Sequence, residues 1–293
     1  MSSTWTALSA TVRGHFHESS GLKNQDAVRL KNRGGSAEPL FVAVADGHGS
    51  TRSFRSDRGS ALAAECAMSV LRPLIRKNRD MPLSSIRRQA KVRWPRAILE
   101  AWRAAVRADL AVNPFSPFDF AAFPEPPPAI KPGGELSASA YLAYGATLIV
   151  VAITRRYILY IQLGDGDILT VAANGRVSRP LKRHHQFYAN ETASLCTGYA
   201  LMEFQVRVEP VRTGVPAMIM LSTDGYANCF GNDEGFFKVG ADIFAYLREH
   251  GTDFIGGNLE QWLSESSRDG SGDDITVGLA VRLNTLRPPA LPA

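Results

Sequence analysis

Apolar, largely β-branched runs punctuate the chain at residues 40–45, 148–163 and 217–222. Such runs read as strands buried on both faces, where no polar side is needed. The run at 148–163 is broken by Thr154-Arg155-Arg156, which predicts an antiparallel hairpin of 148–152 with 157–162. Further strands are expected at 4–14, with Trp5 packed at its start, and at 28–30, 168–172, 205–210 and 273–283. Residues 31–38 read as a hairpin-like link, and Asn174-Gly175 marks another hairpin. Helical spacing appears at 57–77, where Leu62, Cys66, Val70 and Leu74 share one face. It recurs at 95–112, where Pro95 suits a first turn and Ile98, Trp102, Ala105 and Leu110 form the inner stripe. Trp102 is read as core. Residues 242–249 read as a helix stopped near Gly251, and 259–267 as another, capped by Asn258 with Gln261 three residues on. Alternating sheet runs and grouped helices predict an α/β (α+β) sandwich: two antiparallel sheets flanked by helices.

One domain over 1–284 is expected, with a short tail at 285–293. Residues 113–138 interrupt it. Their prolines preclude helix and disfavour an inner strand, while Phe115, Phe118, Phe120 and Phe123 predict a loop packed partly back on the domain. The segment from about 177 to 201 is polar and irregular, and includes His184 and His185.

Charge and cysteine content narrow the function classes. The net charge is +5, with basic residues concentrated between Arg72 and Arg107. No zinc-finger spacing or recognition-helix signature accompanies them, so a nucleic-acid reader is not favoured. They read as solvated faces, or as a docking surface for an acidic or phosphorylated partner. Cys66, Cys196 and Cys229 are too scattered for a disulfide framework or a thiolate metal site. Residues 1–12 lack the pattern of a secretory leader, and no apolar run approaches a membrane span. A cytoplasmic monomer without membrane association is expected.

Five short islands carry the chemistry: Asn24-Gln25-Asp26, Asp46-Gly47-His48-Gly49, Gly164-Asp165-Gly166, Thr223-Asp224-Gly225 and Gly272-Asp273-Asp274-Ile275-Thr276. Asp-Gly alone is a common turn. Here acids recur at the ends of buried strands, which suggests one shared site. Converging carboxylates repel unless cations lie between them, and oxygen ligands suit Mg²⁺ or Mn²⁺. Metal-assisted hydrolysis follows, with the reaction itself left open by the pattern.

The ordered islands, together with Tyr144-Gly145-Ala146-Thr147-Leu148, resemble those of the PPM-type (type 2C) protein serine/threonine phosphatases over roughly residues 10–282. Gln25 in the first motif resembles the bacterial branch. The resemblance implies hydrolysis of phosphoserine and phosphothreonine in proteins by direct attack of water on phosphorus, at a core of two Mn²⁺ or Mg²⁺ ions. It implies that Asp46 bridges the ions, with the Gly47 carbonyl beside it. Asp224 and Asp273 supply further carboxylates. Gln25 coordinates through its amide oxygen, and Asp26 orients water or assists coordination. Asp165 supports a third, weaker ion, and His48 is the general acid toward the leaving alkoxide. Asp274 stands where Asn is frequent, and either tunes the site or orders its turn. Gly21 occupies the place of a phosphate-binding arginine, which leaves His15 or His17 as the candidate phosphate contact. The 177–201 interval matches a flap beside the cleft. The expected partner is a phosphorylated protein, such as a serine/threonine kinase or its target. A catalytically weak phosphatase-like binding module and a small-molecule phosphomonoesterase are the alternatives.

Overall fold

The computed structural model describes residues 4–31, 39–116, 119, 138–182, 193–212 and 214–286. Ten strands are present among them: β1 (Trp5–Val12), β2 (Ala27–Lys31), β3 (Leu40–Ala45), β4 (Leu148–Ile153), β5 (Tyr157–Leu163), β6 (Asp167–Val171), β7 (Val177–Ser178), β8 (Gln205–Pro210), β9 (Met218–Ser222) and β10 (Ile275–Arg282). The helices are α1 (His15–Ser20), α2 (Ser56–Lys77), α3 (Leu83–Val92), α4 (Trp94–Val112), α5 (Ala138–Leu142), α6 (Ala200–Glu203), α7 (Asp224–Ala227) and α8 (Asp233–Ser266).

The strands form two five-stranded sheets, ordered β1-β10-β9-β6-β7 and β2-β3-β4-β5-β8, with every pairing antiparallel. The sheets pack face to face, and helices cover their outer faces. Successive side chains on a strand point to opposite faces. On β3, Val42 and Val44 therefore enter the core between the sheets, where they meet Ile149, Val151, Ile219 and Leu221. Phe41, Ala43 and Ala45 enter the core under α2, α3 and α4. On β10, Val277, Leu279 and Val281 face a third core under α8. Both faces of the central strands are dry, so their sequences lack polar alternation.

Trp102 is fully buried in the core beneath α2–α4, and its indole N–H donates to the Gly59 carbonyl at 3.0 Å. Helix α3 had no counterpart in the sequence reading. It buries only Ile86 and Ala90 and rests on edge strand β8, where Arg87 Nε donates to the Val208 carbonyl. The helices predicted at 242–249, stopped near Gly251, and at 259–267 correspond to the two helical stretches of α8, which meet at Gly251, where φ 83° and ψ −179° are non-helical; the first starts earlier than predicted, at Asp233, and the second starts before Asn258. The N-cap of α8 is Asn232, whose side chain accepts the Gly235 N–H. Asn258 lies inside the helix and donates to the Phe254 carbonyl, and Gln261 bonds Glu265 rather than closing a capping box.

The start of the 113–138 segment is anchored. Arg55 donates to the Asn113 and Pro114 carbonyls, and its guanidinium lies 4.7 Å from the Phe115 ring centroid. Phe54 meets the same ring edge-on. Phe118, Phe120, Phe123, His184, His185, the predicted 31–38 link beyond Lys31 up to residue 38, and the tail from 287 lie outside the described residues. No helix among the described residues is long and apolar enough to cross a membrane.

Candidate metal centre and active site

The antiparallel order brings the acidic islands to one end of the sandwich. Asp46 follows β3, Asp165 follows β5 and Asp224 follows β9, while Asp26 precedes β2 and Asp273 precedes β10. A cleft of about 220 Å³ opens there, lined by His17, Gln25, Asp46, Gly47, His48, Gly49, Thr147, Asp165, Asp224, Asp273 and Asp274. Carboxylate oxygens of Asp46, Asp165 and Asp224 lie within 4.8 Å of one another. Asp273 lines the same cleft outside this tight trio, with its side chain 50% exposed.

Local hydrogen bonds fix each loop. Asp46 and Thr147 are doubly tied: the Asp46 N–H donates to Thr147 Oγ1 at 3.1 Å, and the Thr147 N–H donates to the Asp46 carbonyl at 2.8 Å. The Gly47 N–H donates to the Gln25 carbonyl and the His48 N–H to the Gly145 carbonyl. A Cβ on Gly47 would lie 2.6 Å from the Gln25 carbonyl oxygen and 2.7 Å from that of Ser56, so only glycine fits between these segments. Asp26 Oδ2 accepts from Thr223 Oγ1 at 2.8 Å, while Asp224 Oδ2 accepts from Asn228 Nδ2 at 3.1 Å.

The electrostatics are those of an anionic trap. Burial, then the charges of Asp26 and Asp224, push the Asp46 carboxyl well above the usual aspartate range. Burial and the charge of Asp274 push Asp26 up in the same way, against hydrogen bonds from Thr223 and Thr276. Asp224 is raised by burial and by Asp165. Asp46 and Asp224 line the cleft, so a small cation has a route to them. Gln25 Oε1 and Asp26 Oδ1 are buried acceptors without a hydrogen-bond partner among the described residues. Orphaned oxygens beside repelling carboxylates fit oxygen-coordinated divalent cations. Burial lowers the His48 pKa, and the charge of Asp165 opposes that shift.

The two phosphate-contact candidates separate. His17 reaches the cleft wall, whereas His15 is exposed on the same short helix, packs toward Phe16 and does not line the cleft. Among the described residues no lysine or arginine lines the cleft, and Lys23 instead pairs with Asp57 at 3.2 Å. Sequence reasoning named no structural task for Thr147, and left that of Asp274 open. Thr147 lay in a quoted motif, but its bond to the Asp46 backbone is a long-range contact that spacing does not reveal.

The family profile for protein phosphatase 2C matches residues 13–265. The chain belongs to the protein phosphatase 2C family. Solved structures share its fold at low identity. The S. agalactiae serine/threonine phosphatase is 17% identical, with 94% of this chain and 99% of that chain covered and a TM-score of 0.56. The serine/threonine phosphatase Stp1 from Staphylococcus aureus is 13% identical, with 94% of each chain covered and a TM-score of 0.54. The Mycobacterium tuberculosis serine/threonine phosphatase PstP/Ppp is 14% identical, with coverage of 95% and 98% and a TM-score of 0.53. No curated protein matches. The protein phosphatase 2C assignment gives the acidic cleft its chemical context, since its islands occur in the order that first suggested the resemblance.

Proposed function

We propose that this protein phosphatase 2C member is a metal-dependent hydrolase of phosphoserine and phosphothreonine in proteins. The observation that carries the reading is the trio of Asp46, Asp165 and Asp224 oxygens within 4.8 Å, placed beside the orphaned Gln25 and Asp26 acceptors. Asp46, the Gly47 carbonyl, Asp224, Asp273, Asp26 and Gln25 would hold two Mn²⁺ or Mg²⁺ ions, and Asp165 a third, weaker one. A solved structure of the PstP catalytic domain is described as a complex with two manganese ions, which supports that count. Bound divalent cations supply a water nucleophile at neutral pH and offset phosphoryl charge.

The chain's own groups do the remaining work. Asp26, fixed through Thr223, orients the attacking water. Thr147 holds the Asp46 backbone and so sets the carboxylate's aim. His48 gives a proton to the departing serine or threonine oxygen. Burial makes it a stronger acid than ordinary histidine, at the cost of a smaller acid-form population above its lowered pKa. His17, which lines the same cleft, contacts phosphate. The substrate is a phosphorylated protein, a kinase or its target, met by a cytoplasmic monomer.

The test is phosphate release from phosphoserine, phosphothreonine and phosphotyrosine peptides and from small phosphorylated metabolites, titrated with Mn²⁺ and Mg²⁺. Metal-dependent turnover of the first two, lost in Asp224→Asn and Asp273→Asn with circular dichroism unchanged, is the expected result. Mn²⁺ binding without turnover of any phosphopeptide would overturn the reading.

A further inference from the structure

Three segments far apart in the chain meet at the end of the sandwich away from the cleft. Thr147 precedes β4 and Asp165 follows β5, and both line the cleft, so the turn between these strands closes at the opposite end. That turn carries Arg155 and Arg156. Helix α2 starts beside the cleft, where the Ser56 carbonyl packs on Gly47, and ends with Arg76 and Lys77 in its last turn. Arg79 follows, and its carbonyl accepts a hydrogen bond from Arg156 Nη1. Strand β8 pairs with β5 and leaves the sheet beside the same turn. There the Val211 N–H donates to the Arg156 carbonyl, and Arg212 comes next. Arg76, Lys77, Arg79, Arg155, Arg156 and Arg212 are all exposed.

Local stability accounts for only part of this gathering. Basic residues suit the last turn of a helix, which explains Arg76 and Lys77. The β4–β5 turn and the exit of β8 end no helix, and like charges brought together repel. The acids on these segments are already engaged, Asp80 with Arg79 at 3.2 Å and Glu209 with Arg207. Among the described residues Arg76, Lys77, Arg155 and Arg212 make no ion pair. Exposed charge elsewhere is balanced, as where Lys238 meets Asp242 on α8. The chemistry of the surface selects its partner. Guanidinium forks match carboxylates. Among the described residues no exposed large apolar side chain lies on these segments. They offer neither a stacking platform for bases nor a wedge for a bilayer.

We propose that this basic end docks an Asp- and Glu-rich segment of the protein substrate. The inference rests on the phosphatase reading and deepens it. Helix α2 has 22 residues, so at about 1.5 Å per residue its basic end lies about 30 Å from the cleft. An extended chain covers at most about 3.3–3.6 Å per residue. On one extended chain, the acidic segment must therefore stand at least about nine residues from the phosphorylated one.

The first arm of the experiment measures binding of fluorescent polyglutamate to the Mn²⁺-loaded full chain by anisotropy, with thermal melting of each variant. Wild-type affinity should fall as salt rises, since exposed charges are screened beyond about 8–10 Å at moderate ionic strength. Combining Arg76→Glu, Lys77→Glu and Arg155→Glu should weaken polyglutamate by about 10- to 100-fold and leave turnover of p-nitrophenyl phosphate unchanged. The same charge change made at Lys238, Arg248 and Arg268, exposed residues on and beyond α8, should cost no more than about twofold. Equal losses in the two variants, or none in the first, overturn the proposal. Should the first variant fail to fold, Arg76→Gln, Lys77→Gln and Arg155→Gln decide: a loss of about 3- to 30-fold supports the surface, and none refutes it. Homopolymeric RNA or phosphatidylserine vesicles bound more tightly than polyglutamate through the same three residues would also overturn the assignment. The second arm joins polyglutamate to a phosphoserine peptide through linkers of graded length. KM should fall only once the linker exceeds about nine residues, and kcat should hold. An equal gain with a short linker, or no gain at any length, refutes docking at this end. A wild type that binds polyglutamate but turns over no phosphopeptide refutes the phosphatase reading, while the first arm still reads the surface.

Discussion

Replacing Asp46 by asparagine should stabilise the metal-free protein while destroying its response to metal. Asp46, Asp224 and Asp26 all have folded-state pKa values raised above those of the unfolded chain. Between the ordinary aspartate value and the raised values the native state therefore holds protons that the unfolded chain has released. The stability from these groups is complete below about pH 4, the ordinary aspartate value, and is lost as pH rises through the raised values. At the 4.8 Å limit separating the trio's oxygens and an effective dielectric of about 20, two full charges repel by about 3.5 kcal/mol. Partial protonation reduces this, so Asp46→Asn should gain about 1–3 kcal/mol at pH 8, or about 2–6 °C in Tm for a chain of this size. An asparagine N–H₂ also keeps a donor toward Asp224. The assay is calorimetric melting in EDTA at pH 5 and pH 8, followed by titration with Mn²⁺. The wild type should melt lower at pH 8 than at pH 5 in EDTA and recover with Mn²⁺. The variant should show a smaller pH dependence and no recovery. A lower Tm for Asp46→Asn in EDTA at pH 8, or a wild-type Mn²⁺ shift in the variant, would refute the argument from repulsion.

Three further outcomes are expected. His48→Ala should slow phosphoserine-peptide turnover by about 10²–10⁴-fold and p-nitrophenyl phosphate far less, since an aryl leaving group needs little protonation; equal losses on both substrates would exclude a leaving-group acid. Because burial lowers the His48 pKa, the ratio of peptide to aryl turnover in the wild type should fall as pH rises from about 6, the range of an ordinary histidine, toward 8; a ratio flat across that range would count against the acid role. Trp102→Ala should cost about 3–5 kcal/mol in urea unfolding, from a fully buried indole and its bond to Gly59; a loss below 1 kcal/mol, the range of surface substitutions of about 0.5 kcal/mol, would mean the site collapses freely.

What the sequence made legible divides along a physical line. Strands β3 and β9 were readable because both of their faces are dry, so the local residues alone carry the signal. Three of the acidic islands were readable because each directly follows such a strand: Asp46 after β3, Asp165 after β5 and Asp224 after β9. Helix α3 was not, because it needs only Ile86 and Ala90 to hold it on β8 and otherwise looks like solvated charge. Helix α8 breaks at Gly251, as the glycine signalled, but its second stretch starts before Asn258, because asparagine is an end signal that only packing shows to sit within a helix. The cleft repeats this at higher stakes. Asp46 and Asp224 announce themselves through local turns, but Asp274 does not. Its meaning lies in bonds to Gly14 and Gln25, about 250 residues away along the chain. A second aspartate after Asp273 reads locally as one more turn acid. In the fold it is the carboxylate that two backbone donors require, a demand no local spacing carries.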